Sequence, residues 1–306
     1  MELIQNTIDF TINEDTVITL GKFDGVHRGH RVLMDRILEV SKTGLATVIF
    51  TFNMPPNNFI KKQRQPVLLS NKERNFMLEE LGIDYLIECP FVEEIARMEP
   101  EDFIKNILVK RLRVKHIVIG NDFRFGYKRR GDYRMLQALA QTYGYQVNVM
   151  EKAQMNGRDI SSTYIKEEIL VGNMESAMEM LGYPYFLRGV VVHGKKIGRT
   201  IGIPTINIYP EDLKMLPPNG VYITKTKIHG KIYQGVTNIG HNPTIESGIK
   251  KVVETYLFHC DEDLYGKEAI VYLYHYRRPE LKFDSLEALQ NKMQEDITFG
   301  KEYFDE

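Results

Sequence analysis

Only two cysteines occur in the 306 residues, Cys89 and Cys260, and neither belongs to a C-x-x-C pair or a Cys/His spacing. That scarcity argues against a disulfide framework or a structural zinc site, and both thiols are expected reduced and buried, in a cytoplasmic protein. No apolar run approaches the roughly 18 residues that a membrane helix needs. The first segment, MELIQNTIDF, has neither a basic start nor a small-residue cleavage site, so a soluble chain without a secretory leader is expected. Neither sign of charge is in excess: 40 Lys and Arg against 41 Asp and Glu leave a formal net charge of −1. The chain thus lacks the positive field behind non-specific nucleic-acid binding. Short basic runs such as Lys61, Lys62 and Arg64, or Lys128, Arg129 and Arg130, read as solvated loops. The common phosphate loops are missing too, with no G-x-x-x-x-G-K-[ST] and no G-x-G-x-x-G, and there is no internal repeat.

What is present is a balanced composition, 43% hydrophobic and 26% charged, over a length that implies two compact domains. Through the first 180 residues, short β-branched runs alternate with amphipathic stretches. VITLG (17–21), ATVIFTF (46–52), DYLIECPF (84–91), HIVIG (116–120) and YQVNVM (145–150) read as strands. Residues 29–42, 71–81, 101–112 and 131–142 read as helices, which together predict an α/β unit with a parallel sheet. Helices over 162–171 and 174–181 follow, and Gly182 with Pro184 supplies a stop. The spacing places the domain boundary at 183–185, giving domains 1–183 and 184–306. Beyond it the period changes to two, in YFLRGVVVH, GVYITKTKI, KIYQGVTNIG, KVVETYLFH and EAIVYLYHY, which predicts an antiparallel β-barrel. A terminal helix from about Ser285 would pack on it through Leu286, Leu289, Met293 and Ile297, with Asp284 or Ser285 as its cap.

The first strand runs into Gly21-Lys-Phe23-Asp24-Gly25-Val-His27-Arg-Gly29-His30, with a helix behind it. A turn between a strand's carboxyl end and a helix presents N–H groups and a positive dipole end, which suit a phosphate. Gly25 and Gly29 would clear its approach, and His27 and His30, three apart, can point at one atom and stabilise charge on its oxygens. Surface histidines among ordinary turn glycines remain the competing reading. In Asn121-Asp122-Phe123-Arg124-Phe125-Gly a carboxylate, a guanidinium and two rings follow a strand, a set able to hold a charged aromatic ligand or simply to pack a loop. Ser161, Ser162 and Thr163 begin a helix, where hydroxyls either cap orphan N–H groups or bind phosphate.

The second half opens on His193-Gly194-Lys195-Lys196-Ile-Gly198-Arg199-Thr-Ile-Gly202-Ile-Pro204-Thr205-Ile-Asn207. Three glycines four apart make an arch, and Lys195, Lys196 and Arg199 give it positive charge. Thr205 and Asn207, two apart on an extended segment, offer oxygens to a hard cation such as Mg²⁺ beside nucleotide phosphates. A Gly-rich hairpin loop is the alternative. In KVVETYLF the alternation puts Val252, Glu254, Tyr256 and Phe258 on one face, so Glu254 shares its side with large apolar groups. Partial desolvation would fit that acid for general-base work, whereas on an edge strand it would simply face solvent. The other histidines, His116, His193, His229, His241, His259 and His275, have no ligand spacing.

These blocks resemble the prokaryotic bifunctional riboflavin kinase/FAD synthetase family. Gly21 to His30 is similar to its H-x-G-H nucleotidylyltransferase signature, Gly120 to Gly126 with Gly131 and Asp132 to its second adenylylation motif, and Ile160 to Lys166 to I-S-S-T-x-I-R, with Lys166 in place of Arg. The second half matches G-x-x-x-G-R-x-x-G-x-P-T-x-N at Gly194 to Asn207, P-x-x-G-V-Y at Pro217 to Tyr222, N-I-G-x-x-P-T at Asn238 to Thr244, and V-E-x-H at Val253-Glu254, with Tyr256 in place of His. It also matches D-x-Y-G at Asp263 to Gly266 and R-x-E-x-K-F at Arg278 to Phe283. The resemblance implies a Rossmann-like nucleotidylyltransferase domain followed by a riboflavin kinase-like barrel, with ATP-dependent phosphorylation of riboflavin to FMN and adenylylation of FMN to FAD. It implies Glu254 as base, Thr205 and Asn207 on Mg²⁺, and His27 and His30 on the second transition state. ATP would be held by Gly21, Phe23, Asp24, Gly25, Gly29, Ser161, Ser162, Thr163 and Lys166 in one half, and by Gly194, Lys196, Gly198, Arg199, Gly202 and Pro204 in the other. Flavin would meet Asn121, Asp122, Phe123, Arg124 and Phe125, and Tyr222, Arg278 and Glu280. Neither nucleic acid nor membrane is an expected partner, and a homo-oligomer is left open. The competing expectations are a chain keeping one activity and a non-catalytic flavin-binding regulator.

Overall fold

The computed structural model describes residues 1–54, 65–194, 198, 202–244 and 248–305, with the side chains of 242–250 left out. Lys61, Lys62, Arg64, Lys195, Lys196 and Arg199 lie outside the described residues. The chain forms two compact units, Met1–Ser162 and Thr163–Glu306.

In the first unit β1 (Glu2–Gln5), β2 (Thr16–Leu20), β3 (Ala46–Phe52), β4 (Tyr85–Cys89), β5 (Val114–Gly120) and β8 (Gln146–Met150) make a six-stranded sheet in the order β1-β4-β3-β2-β5-β8. Every pairing is parallel. All five residues of β2 are buried, as a parallel strand covered on both faces must be. One cover is α1 (Arg28–Ser41), which turns Leu33, Met34, Ile37 and Val40 inward. Others are α2 (Asn71–Glu80) and α5 (Tyr133–Tyr143), with the short α3 (Glu93–Ala96) and α4 (Pro100–Asp102) between them. The helix expected over 101–112 is α4 continued as a π-helix, Phe103–Arg111, whose Phe103, Ile104, Ile107 and Leu108 enter the core. Small hairpins pair β6 (Arg124–Phe125) with β7 (Gly131–Asp132) and β9 (Gln154–Met155) with β10 (Arg158–Asp159). The chain winds outward to one side from β2 and to the other from β5, so the crevice between their carboxyl ends is where the strand order reverses.

In the second unit α6 (Ser162–Leu170), whose first residue still belongs to the first unit, and α7 (Met174–Leu181) precede the strands. The compact unit therefore begins about twenty residues before the boundary expected from sequence, because Met174, Ala177, Met180 and Leu181 of α7 are buried and α7 packs on β11 (Tyr185–Val190) and β16 (Glu268–Arg278). With β12 (Thr205–Ile208), β13 (Gly220–Ile228), β14 (Lys231–Thr244) and β15 (Gly248–Leu257), these form an antiparallel sheet in the order β11-β16-β13-β14-β15-β12. Register shifts between β13 and β16 bend the sheet. It curls until its edges meet at one bridge, Val192 to Asn207, with the Val192 N–H donating to the Asn207 carbonyl at 2.8 Å. A Cβ on Gly189 would stand 3.1 Å from Ile208 Cβ, so glycine admits this approach. The result is a partly open barrel. Its last helix, α8 (Leu286–Asp305), is capped by the Ser285 hydroxyl, which accepts from Ala288 N–H at 3.1 Å. Leu289, Met293 and Ile297 pack on Val236, Tyr256 and Phe258, whereas Leu286, expected on the same stripe, is exposed because it precedes the stretch that reaches the sheet. Cys89 is buried as expected, but Cys260 is half-exposed, because it lies in the turn after β15.

Candidate active sites

The turn after β2 carries the first site. Phe23 folds its ring back under Gly21, whose absent Cβ would stand 3.0 Å from that ring. Phe23 and Val26 are fully buried at φ of 49° and 38°, with Gly25 at 94°. Left-handed non-glycine residues cost on the order of 1 to 3 kcal/mol each, so the turn is held by its surroundings. His27 precedes α1, and its carbonyl accepts from His30 N–H at 2.8 Å and Arg31 N–H at 2.9 Å. The two imidazoles stack, with centroids 3.7 Å apart and planes at 18°. Gly29 makes room for a ring: a Cβ there would meet His27 Cε1 and Nδ1 at 3.2 Å.

Burial sets the charge of the pair. It lowers the His27 pKa to about 4, against the opposing pull of Asp24, and holds His30 well below the ordinary histidine value, with His27 adding to that effect. Both rings are therefore neutral at pH 7, each still owning one N–H donor. The Nδ1 atoms of His27 and His30 are buried with no hydrogen-bond partner among the described residues. Unsatisfied buried donors and acceptors are costly, and a polar ligand arriving there recovers that cost.

Asp24 accepts from Leu68 N–H at 2.6 Å and Leu69 N–H at 3.3 Å, and its carbonyl accepts from the Ser162 hydroxyl at 2.8 Å. The motif around Ser161 and Ser162 thus meets the imidazole turn, while Thr163 and Lys166 continue α6 in the other compact unit. The loop after β5 is mostly engaged by its own neighbours. Asn121 donates to Glu151 at 2.8 Å, Asp122 pairs with Lys152 at 3.0 Å, and Arg124 pairs with Asp132 at 3.0 Å. Phe125 is 7% exposed and packs on Phe103, with Gly131 giving it room, so it is a core ring and not a free surface for a ligand. Phe123 stacks on it and is half-buried.

The second site lies between the barrel's outer face and α8. A cavity of about 340 Å³ is lined by Thr205, Asn207, Glu254, Arg278 and Glu280, together with Gly198. Register explains the convergence. Asn207, Glu254, Asn238, Val221 and Arg278 are successive cross-strand partners on β12, β15, β14, β13 and β16, and such partners share a face. Val253 and Thr255 point into the barrel, where Thr237 Oγ1 lies 2.9 Å from Thr224 Oγ1 and 2.8 Å from Thr255 Oγ1. Glu254 is half-buried on the cavity side with Val252, Tyr256 and Phe258. The Asn207 side chain nestles against Gly194, where a Cβ would stand 2.4 Å from its Nδ2. Its Oδ1 is buried with no hydrogen-bond partner among the described residues.

Three expectations change here. Tyr222 is fully buried on the opposite side of β13 from Val221, its hydroxyl bonded to the Pro218 carbonyl, so it supports the barrel and does not line the cavity. Gly202 and Pro204 are exposed and outside the lining. Arg278 lines it, but its guanidinium forks onto Asp296 of α8, with contacts of 2.6 to 3.2 Å. Glu280 accepts from Asn219 at 3.0 Å and Asn238 at 3.3 Å. Asn238, Asp296 and His241, given no role from sequence, also line the cavity, and His241 Nδ1 lies 2.8 Å from Asn219 Nδ2. Asn238 opens the N-I-G-x-x-P-T motif, and Asp296 is a charge interrupting an apolar helical stripe.

A strand-turn-helix bearing two stacked imidazoles at a parallel sheet's switch point is followed by a barrel with an acid beside neutral oxygens, one candidate site in each unit. The FAD synthetase family model matches residues 9–164 and the riboflavin kinase family model matches residues 181–304. Curated relatives named bifunctional riboflavin kinase/FMN adenylyltransferase include that of Escherichia coli (strain K12), 36% identical over 294 residues, which cover 95% of this chain and 93% of the relative. That of Listeria monocytogenes is 33% identical over 301 residues, covering 97% and 95%. A crystal structure described as a macrolide-efflux protein from Streptococcus pneumoniae superposes with a TM-score of 0.86 at 30% identity, covering 98% of each chain. The chain belongs to the bifunctional riboflavin kinase/FMN adenylyltransferase family.

Proposed function

We propose that this chain phosphorylates riboflavin to FMN with ATP in its second half, residues 184–306, and adenylylates FMN to FAD with a second ATP in its first half, residues 1–183. The observation that carries the reading is the meeting of Thr205, Asn207 and Glu254 on one cavity in the unit that matches the riboflavin kinase family. The riboflavin 5′-hydroxyl oxygen bonds to the γ-phosphorus, its proton passes to the Glu254 carboxylate, and ADP leaves as the bond to the bridging oxygen breaks. Thr205 and Asn207 would hold Mg²⁺, and the Asn207 Oδ1, buried without a hydrogen-bond partner among the described residues, fits a hard cation. Both are neutral ligands, so the nucleotide phosphates supply the balancing charge. When bound, the ion neutralises charge on those phosphates.

For the second step, an FMN phosphate oxygen attacks the α-phosphorus of ATP and pyrophosphate leaves. His27 and His30 offer N–H groups to oxygens that gain charge, from positions fixed before the substrate arrives. Flavin is thus substrate and product. A reduced, cytoplasmic setting belongs to the same reading: both cysteines are free, and burial pushes the Cys89 thiol up to about 12, where it is inert. Among the described residues no helix is long and apolar enough to cross a membrane.

The test is to incubate the pure chain with riboflavin, ATP and Mg²⁺ and to resolve riboflavin, FMN and FAD over time. FMN should rise first and FAD follow. Failure to form either flavin nucleotide overturns the reading.

A further inference from the structure

The turn that carries the imidazoles is bent against the preferences of its own residues, and Asp24 sits in the middle of the bend, between buried Phe23 and Val26, both at positive φ. Segments far apart in sequence meet on it. Its Oδ1 accepts from the N–H groups of Leu68 and Leu69, just before α2, and its carbonyl accepts from Ser162 at the start of α6. The stretch before α2 is itself fixed. Ser70 and Glu73 close a buried capping box, Ser70 N–H donating to Glu73 Oε2 at 2.9 Å and Glu73 N–H to Ser70 Oγ at 3.3 Å. The next residue, Arg74, makes a buried ion pair with Glu88 of β4. A continuous frame therefore runs from the carboxyl end of β4 through the start of α2 to Asp24, and from Asp24 to His27 three residues on.

We propose that Asp24, which the resemblance counts among the ATP contacts, is instead a positioning residue for the His27 and His30 pair, since its Oδ1 is engaged by Leu68 and Leu69 N–H and it acts through the turn it locks, not by contact with nucleotide. The inference rests on the adenylylation reading above. What the lock requires is an acceptor oxygen for two backbone N–H groups, and a negative charge is not needed for that. Asparagine keeps such an oxygen and alanine does not, so the two substitutions separate the lock from a charge directed at nucleotide or metal.

The experiment measures kcat and the KM for ATP of FMN adenylylation in the full chain for wild type, Asp24→Asn, Asp24→Ala and His30→Ala. Asp24→Ala should lose at least tenfold in kcat with KM changed less than twofold, and Asp24→Asn should stay within threefold of wild type in both. Equal losses in the two Asp24 variants, or a raised KM for ATP in both, overturn the proposal. Should Asp24→Ala lose its thermal unfolding transition, Asp24→Asn decides alone: wild-type constants support the lock and a raised KM overturns it. Loss of FAD formation in His30→Ala with none in Asp24→Ala overturns the lock only, whereas undiminished FAD formation in His30→Ala overturns the adenylylation reading and the lock with it.

Discussion

Asn207 on β12 and Glu254 on β15 are direct partners across the antiparallel ladder, and the amide of Asn207 occupies the space that Gly194 leaves by lacking a Cβ. An added methyl at Gly194 would stand 2.4 Å from Asn207 Nδ2, a separation that side chains do not tolerate. Gly194→Ala should therefore push the amide out of line with the acid. FMN formation is expected to fall at least tenfold, while FAD formation from supplied FMN stays within twofold, as read by chromatography of the products.

The two halves should be separable by single substitutions. His30→Ala should stop the reaction at FMN, with FAD formation down about 10² to 10⁴-fold, the range for loss of a proton-transferring or charge-stabilising group. Glu254→Ala should make no FMN from riboflavin yet still convert supplied FMN to FAD. A Glu254→Ala enzyme that phosphorylates riboflavin at the normal rate would remove the acid from the mechanism.

Acid should destabilise the fold in a defined window. Folding lowers the His27 pKa from 6.5 to about 4 and holds His30 well below 6.5, so the unfolded chain binds more protons as pH falls below 6.5. Stability contributed by the neutral rings is complete above pH 6.5 and is lost as pH falls toward 4, by on the order of 3 kcal/mol for His27. Urea unfolding at pH 7 and pH 5 should show the loss, and His27→Asn should flatten it.

Cation dependence should track Asn207. Removing Mg²⁺ with a chelator should abolish FMN formation, and Asn207→Ala should raise the Mg²⁺ concentration for half-maximal rate more than tenfold. An unchanged Mg²⁺ titration would place the cation elsewhere.

The forked tie between Arg278 of β16 and Asp296 of α8 should matter to stability. Arg278 is 14% and Asp296 2% exposed at the side chain, and breaking a buried pair by removing one partner typically costs about 3 to 5 kcal/mol. Asp296→Ala should show that loss in thermal or urea unfolding, and adding Arg278→Ala should cost less than the sum of the two single changes.

Periodicity carried most of the architecture because it reports which face is buried. The alternation in KVVETYLF separates Glu254 from Val253 and Thr255 as the barrel requires, and the β-branched, uncharged run of β2 reads as a strand. The strand β1 gives no sequence signal because ELIQ is an edge, mostly exposed, with no alternation to detect. Motif adjacency misled at Tyr222, which shares a motif with Val221 but faces the other way. Spacing along the chain could not say that Asn238 stands beside Glu254, since that depends on the register of β14 against β15. Nor could it say that Gly21 and Gly29 make room for rings folded back on the turn, since glycine signals only that something comes close.

The far wall of the barrel cavity comes from residues 289–297, which leave the ribosome after every strand of the barrel. A chain still lacking those residues would therefore hold the acid and its amide neighbours in an open groove, with every residue of the imidazole turn and its Ser162 tether already made. The nascent chain acquires its amino-terminal chemistry early and its carboxy-terminal chemistry last, the reverse of the order in which a flavin meets them.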